Sequence, residues 1–194
     1  MKDVGEPFEW LTRAVEKAGY AGRVHIGADI AASSFATNDG YDVLGTLMSA
    51  EELAARYLAI RERYSLRFIE DPFDEHADAD FATLRASGKG FVVIGDDLTT
   101  TDPERIRSVI EGKCIDAVII KPNQIGTLSE TLSAMRVARE NDIDCIVSHR
   151  SGETMDDFIA DLAYAFGAFG LKAGAPHKSE RRVKYERLSA ITHG

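Results

Sequence analysis

FVVIGDDLTTTDPERIRSVIEGKCIDAVIIK, Phe91 to Lys121, holds one full repeat of the pattern that runs through this chain. It opens with a β-branched apolar run that ends in Asp96 and Asp97. Thr101-Asp102-Pro103 then offers a helix cap and a helix-compatible first residue ahead of ERIRSVI. A second run, DAVIIK (116–121), closes on a lysine. Runs without polar alternation are buried on both faces, and a helix between two such strands makes them parallel. The stretch reads as strand, helix, strand, with a charged residue closing each strand.

Working outward, the same reading applies to VHIGADI (24–30), LRFIED (66–71), DCIVSH (144–149) and FGLKAG (169–174). Segments of helical period lie between them at Ala50–Tyr64, Asp78–Ala86, Thr127–Asn141 and Met155–Phe166. Further helices open the chain at EPFEWLTRAVEKAGY, with Gly19 as C-cap, and close it from Ser179 to Ile191. Asp29, Glu70, Asp96, Lys121, His149 and Lys172 each stand at or beside the C-terminal end of a run. A TIM barrel spends roughly 31 residues on each βα unit and keeps its active site at those strand ends. A doubly wound open sheet would instead gather its polar residues at one switch point. The expected fold is α/β and TIM-barrel-like over residues 1–194 as a single domain. Six strands do not close an eight-stranded barrel, so it is incomplete. Unpaired strand edges predict self-association or a partner chain.

Bulk composition agrees with a globular chain. The 194 residues are 44% hydrophobic and 28% charged, with 23 Lys+Arg against 32 Asp+Glu for a net charge of −9. That balance argues against a nucleic-acid or anionic-membrane surface. No apolar stretch has transmembrane length and the opening residues lack a leader's apolar core, so the expected compartment is the cytoplasm. Cys114 and Cys145 each lie inside an apolar run and are expected reduced in the core.

The strand-end residues carry the chemistry. Asp29, Glu70 and Asp96 on successive strands would repel one another around a common centre unless a divalent cation sat among them, and hard oxygen donors suit Mg²⁺. Taken singly, each is equally well a loop acid or a helix cap. Asp71 and Asp97 point elsewhere by alternation, towards structural hydrogen bonds. Lys121 is a general-base candidate, or an ion-pair partner for the carboxylates, and Lys172 carries the same ambiguity. His149, Arg150 and Ser151 supply donors on one loop, where an arginine fork suits phosphate or carboxylate. Ser148, His149 and Asp156 could suggest a hydrolytic triad, but the chain has no G-x-S-x-G elbow. The assembly describes removal of a proton α to a carboxylate, with a metal beside it, followed by loss of a leaving group.

DIAASSF (29–35), SLRFIEDPFDE (65–75), IGDDLTTTDPERI (94–106), IIKPNQIGTLSET (119–131), VSHRSGETMDDFIADLA (147–163) and LKAGAPHKSERRVKYERL (171–188) resemble enolase, the phosphopyruvate hydratase of glycolysis. The resemblance runs from about Val4 to Ile191, in family order and to the C-terminal barrel portion alone. It implies Mg²⁺ ligands at Asp29, Glu70 and Asp96, the catalytic base at Lys121, and substrate contacts at His149, Arg150, Ser151 and Lys172. It implies dehydration of 2-phosphoglycerate to phosphoenolpyruvate; a lysine base working with Mg²⁺ is the known enolase-superfamily pattern. In such an alignment the family's N-terminal domain, first barrel strands, acid-side glutamates and closing loop lie upstream of Met1. The expectation is a need for a missing or separate N-terminal enolase portion. Ser34 stands where many enolases carry Glu, and His177-Lys178 looks inserted. A non-catalytic enolase-derived scaffold is the alternative from another class, and a different superfamily lyase or racemase is a third.

Overall fold

The computed structural model describes residues 4–87 and 90–193. The chain forms two compact units, Met1–Leu98 with Gly112–Ile115, and Thr99–Glu111 with Asp116–Gly194.

The first unit runs α1 (Glu6–Lys17), β1 (Ile26–Asp29), a helical turn at Ala32–Phe35, β2 (Ala36–Thr37), β3 (Gly40–Val43), β4 (Thr46–Met48), α2 (Ala50–Tyr64), β5 (Leu66–Glu70), α3 (Asp78–Ser87) and β6 (Val92–Gly95). Strands β1, β5 and β6 pair in parallel, with Asp29 beside Glu70 and Glu70 beside Ile94. Ser49 starts α2 through a capping box: its side chain accepts from the Glu52 amide while its own amide donates to the Glu52 carboxylate. Phe73, Phe81, Leu53 and Ile69 are fully buried, and Phe73 meets the rings of Tyr41, Tyr57 and Phe81. Cys114 is buried here as a free thiol.

The second unit runs α4 (Pro103–Glu111), β7 (Ala117–Ile120), α5 (Pro122–Ile125), α6 (Leu128–Glu140), β8 (Asp144–Ser148), α7 (Phe158–Phe166), β9 (Gly170–Lys172) and α8 (Ser179–His193). Strands β7, β8 and β9 are parallel, with Ile120, Val147 and Leu171 in one row. Asp102 caps α4, its carboxylate accepting from the amides of Glu104 and Arg105 at 2.8 and 3.0 Å. All four residues of β7 are buried, as a two-faced strand requires. Cys145 is a free buried thiol, pushed up to about 12 by burial. The six parallel strands, each followed by a helix, make the fold α/β and an incomplete TIM barrel in type.

Three elements differ from the sequence reading. A small antiparallel sheet, β2-β3-β4, stands between β1 and α2, where only a connection had been read. Its turns are built by Gly40 at φ +137°, where a Cβ would come within 2.4 Å of the Met48 carbonyl, and by Leu44-Gly45 at φ +55° and +82°. Helix α5 follows Lys121 directly. Helix α7 begins at Phe158 and not at Met155, because Thr154 accepts from the Asp156 amide and Asp156 from the Phe158 amide. These side-chain turns compete with the helix, and they move its positive end away from the 149–151 loop.

Candidate active site

In the first unit the predicted acids lie at the strand ends. Asp29 and Glu70 are register partners on β1 and β5, so their side chains share one face of the pair. Glu70 is buried and Asp29, on the outer strand, is exposed. The ladder continues past both residues, with Ile30 N–H donating to Glu70 O (2.9 Å), Ala32 N–H to Asp71 O (3.1 Å) and Asp71 N–H to Ile94 O (3.0 Å). Ala31 (φ 48°) and Asp71 (φ 42°) turn the chain through the left-handed region immediately afterwards. Strain of this kind persists only where its surroundings enforce it, and it gathers at functional sites.

Asp96 reaches the same corner through Asp71. The Asp71 carboxylate accepts from the backbone amides of Asp96 (2.9 Å) and Asp97 (2.7 Å), which is the structural role expected of it. Asp71, Asp96 and Asp97 each bring a carboxylate oxygen within 4.8 Å of the others. Burial pushes the Asp71 carboxyl up to about 7; the two amide bonds oppose this, and the charges of Asp96 and Asp97 add to it. This corner therefore concentrates negative charge in a poorly solvated place. Of the three expected Mg²⁺ ligands this cluster includes Asp96 and not Asp29 or Glu70; its all-oxygen anionic donors suit a hard divalent cation such as Mg²⁺ and not a metal that seeks thiolate or imidazole. An apolar recess of about 480 Å³ in the same unit is lined by Phe8, Phe35, Leu53 and Tyr57 among others, with Asp29 at its wall. Its lining is mostly apolar, with Arg56 as its cation.

The second unit carries the predicted cations. One position beyond the row Ile120, Val147, Leu171, Ser148 and Lys172 are register partners, and Lys121 directly follows the end of β7. Lys121 is the last extended residue before α5, and its amide donates to the Thr101 hydroxyl at 2.9 Å. That hydroxyl donates in turn to the Gln124 side-chain carbonyl at 3.0 Å. Thr101 is fully buried and sits at φ 59°, following Thr100 at φ 48°. A β-branched residue there is a genuine outlier, and the bond to Lys121 is what the strained turn supports.

His149 is fixed against Lys172. Its amide and its Nδ1 both donate to the Lys172 carbonyl, at 2.9 and 2.7 Å. A carbonyl only accepts, so Nδ1 carries the proton and Nε2 is the acceptor in the neutral ring. Burial lowers the His149 pKa below the usual imidazole value; the bond to Lys172 opposes this, while the Arg181 and Lys172 charges lower it further. The backbone of Arg150 and Ser151 is pinned by Arg181, whose guanidinium donates to both carbonyls at 2.9 and 3.0 Å. The Arg150 amide donates to Glu153, and Glu153 pairs with Lys184 at 2.6 Å. Sequence reasoning overlooked Thr101, Gln124, Glu153, Arg181 and Lys184. The threonine run and the SER of the last helix were visible, but nothing in their spacing marked them.

Parallel strands that each close on a charged residue, acids in one unit and lysines in the other, are of the βα-barrel class. The chain belongs to the enolase family: residues 1–193 match the family described as "Enolase, C-terminal TIM barrel domain". It is 42% identical to the enolase of Aeropyrum pernix over 194 residues, covering 98% of this chain and 45% of that protein. Against the enolase of Sulfurisphaera tokodaii it is 43% identical, with 92% of this chain and 43% of that protein covered. Enolase B of Dictyostelium discoideum is 41% identical over 96% of this chain. The chain thus spans less than half the length of these curated relatives. No helix among the described residues is long and apolar enough to cross a membrane.

Proposed function

We propose that the chain is the base-bearing and anion-binding portion of an enolase, acting on 2-phosphoglycerate and phosphoenolpyruvate as a cytoplasmic lyase of glycolysis. The observation that carries this reading is the agreement between strand-end chemistry and family: residues assigned from their position on the strands are those that the enolase resemblance assigns.

Asp29, Glu70 and Asp96 would hold Mg²⁺, which when bound supplies positive charge beside the substrate carboxylate. Lys121 takes the proton from the carbon next to that carboxylate. Its backbone bond to Thr101 limits how far the amine can wander from that proton. Lys172, Arg150 and Ser151 hold the substrate's anionic groups, with His149 oriented on the Lys172 carbonyl. The leaving hydroxide needs an acid, and the reading assigns that group to the enolase portion that precedes these residues, in the same polypeptide or in another. Residues 1–194 act here as one catalytic domain.

The test is dehydration of 2-phosphoglycerate in millimolar Mg²⁺, followed through the conjugated double bond of the product. Little turnover is expected from residues 1–194 alone, and clear turnover once a preceding enolase portion is supplied. Lys121→Ala should abolish it. No turnover in the reconstituted mixture would sink the reading.

A further inference from the structure

Lys184 is a buried charge that the proposed reaction does not use. It lies in the middle of α8, 1% exposed, with its ammonium 2.6 Å from the Glu153 carboxylate. It also donates to the carbonyls of Thr154 (2.7 Å) and Glu180 (2.6 Å), so all three ammonium protons are used. Glu153 accepts from the Arg150 amide at 3.1 Å with the same carboxylate. Burial alone would raise the Glu153 pKa, but the bonds from Lys184 and the Arg150 amide outweigh it and hold the carboxyl below its usual value. One helical turn earlier, Arg181 donates to the carbonyls of Arg150 and Ser151.

Space for that arginine comes from Gly174. Its φ is +78°, and a Cβ there would press to 3.2 Å on the Arg181 side chain. Tyr185 donates to the Gly174 carbonyl at 2.6 Å, which ties α8 to the turn that follows Lys172. The segment between Arg150 and Thr154 is thus held at four backbone groups by two cations of α8 and one acid of its own. A solvated surface loop needs no such bonds; a loop whose donors must meet an anion in fixed geometry does.

We propose that Arg181 and the Lys184–Glu153 pair are positioning residues for anion recognition, setting the backbone from which Arg150 and Ser151 present their donors. The inference rests on the function proposed above and goes beyond it in naming residues that touch no substrate. Their effect reaches the ligand through the loop.

The 194-residue chain and its variants Arg181→Met, Arg181→Lys and Lys184→Met are titrated with phosphoenolpyruvate in millimolar Mg²⁺, watching the ligand's ³¹P signal. Mg²⁺ affinity without ligand, the thermal midpoint and hydrogen exchange at the 150–154 amides are measured beside it. Arg181→Met and Lys184→Met should each weaken phosphoenolpyruvate binding about tenfold or more. Loop exchange should quicken, Mg²⁺ affinity should hold, and Arg181→Lys should restore part of the loss. Should Lys184→Met fail to fold, the half-buried Arg181 decides alone. Folded variants that bind phosphoenolpyruvate within about twofold of the parent would overturn the positioning role and leave the proposed function standing. A parent chain that binds no phosphoenolpyruvate overturns the proposed function, and the positioning role with it.

Discussion

Two carboxylates, Asp71 in the first unit and Glu153 in the second, show opposite solutions to one problem. Both are withdrawn from water and both accept from backbone amides. Asp71 has Asp96 and Asp97 for neighbours and is pushed up to about 7. Glu153 has the Lys184 ammonium and is held below its usual value. Like charges crowd one corner, and an internal cation neutralises the other. The comparison teaches that the loop in the second unit is completed by the chain's own groups. The acidic corner offers oxygen donors of the type that suits a hard divalent cation.

The sharpest way to break this contrast is to remove the internal cation. Lys184→Met leaves a carboxylate with 13% side-chain exposure without its ammonium partner, and stability should fall by about 3 kcal/mol. Urea unfolding measures it, and a loss under about 1 kcal/mol would mean the pair does not hold the loop. Next comes the support of Lys121, the proposed base. Thr101→Val keeps the β-branched shape but removes the acceptor for the Lys121 amide, and should cost about 2 kcal/mol for that orphaned donor. Lost activity without lost stability would instead mark Thr101 as a contributor to chemistry alone.

On the acidic side, Mg²⁺ at tenfold over its Kd should stabilise the chain by about 1.4 kcal/mol. Glu70→Gln or Asp96→Asn should erase that gain, whereas Lys184→Arg should not. If Mg²⁺ leaves the thermal midpoint unmoved at millimolar concentration, the proposed set of Asp29, Glu70 and Asp96 is not a metal site. The smallest effect is a slope with pH. The folded His149 pKa lies below its unfolded value near 6.5, so the unfolded chain binds more protons in that window. The His149 contribution is complete above the unfolded value and is lost as pH falls through it towards the folded one. Glu153, also lowered, adds a loss in the same direction at more acid pH. In His149→Gln the first of these slopes should flatten and the second remain.

Much of this was legible from one residue to the next. The β-branched runs, the capped starts of α2 and α4, and a charge closing each strand all follow from local rules of propensity and alternation. Ala50–Tyr64 forms a helix over the bounds read from its period, and α4 starts at Pro103, as its start signal predicts. The β2-β3-β4 sheet escaped because its signals are backbone angles at Gly40 and Leu44, and the α7 start moved because Thr154 and Asp156 captured amides that a helix would have used.

By itself the sequence determined the order of the six parallel strands, the family, and which residues stand at strand ends, since these depend on side-chain type and near neighbours. Only the tertiary structure decided what holds those residues in place. Lys184 lies more than 30 positions from Glu153 in sequence yet 2.6 Å away in space. Thr101 meets Lys121 across 20 positions. Such partners come together only when the strands and helices pack, because burial makes a charge or an amide seek the nearest complementary group, and folding decides which group that is.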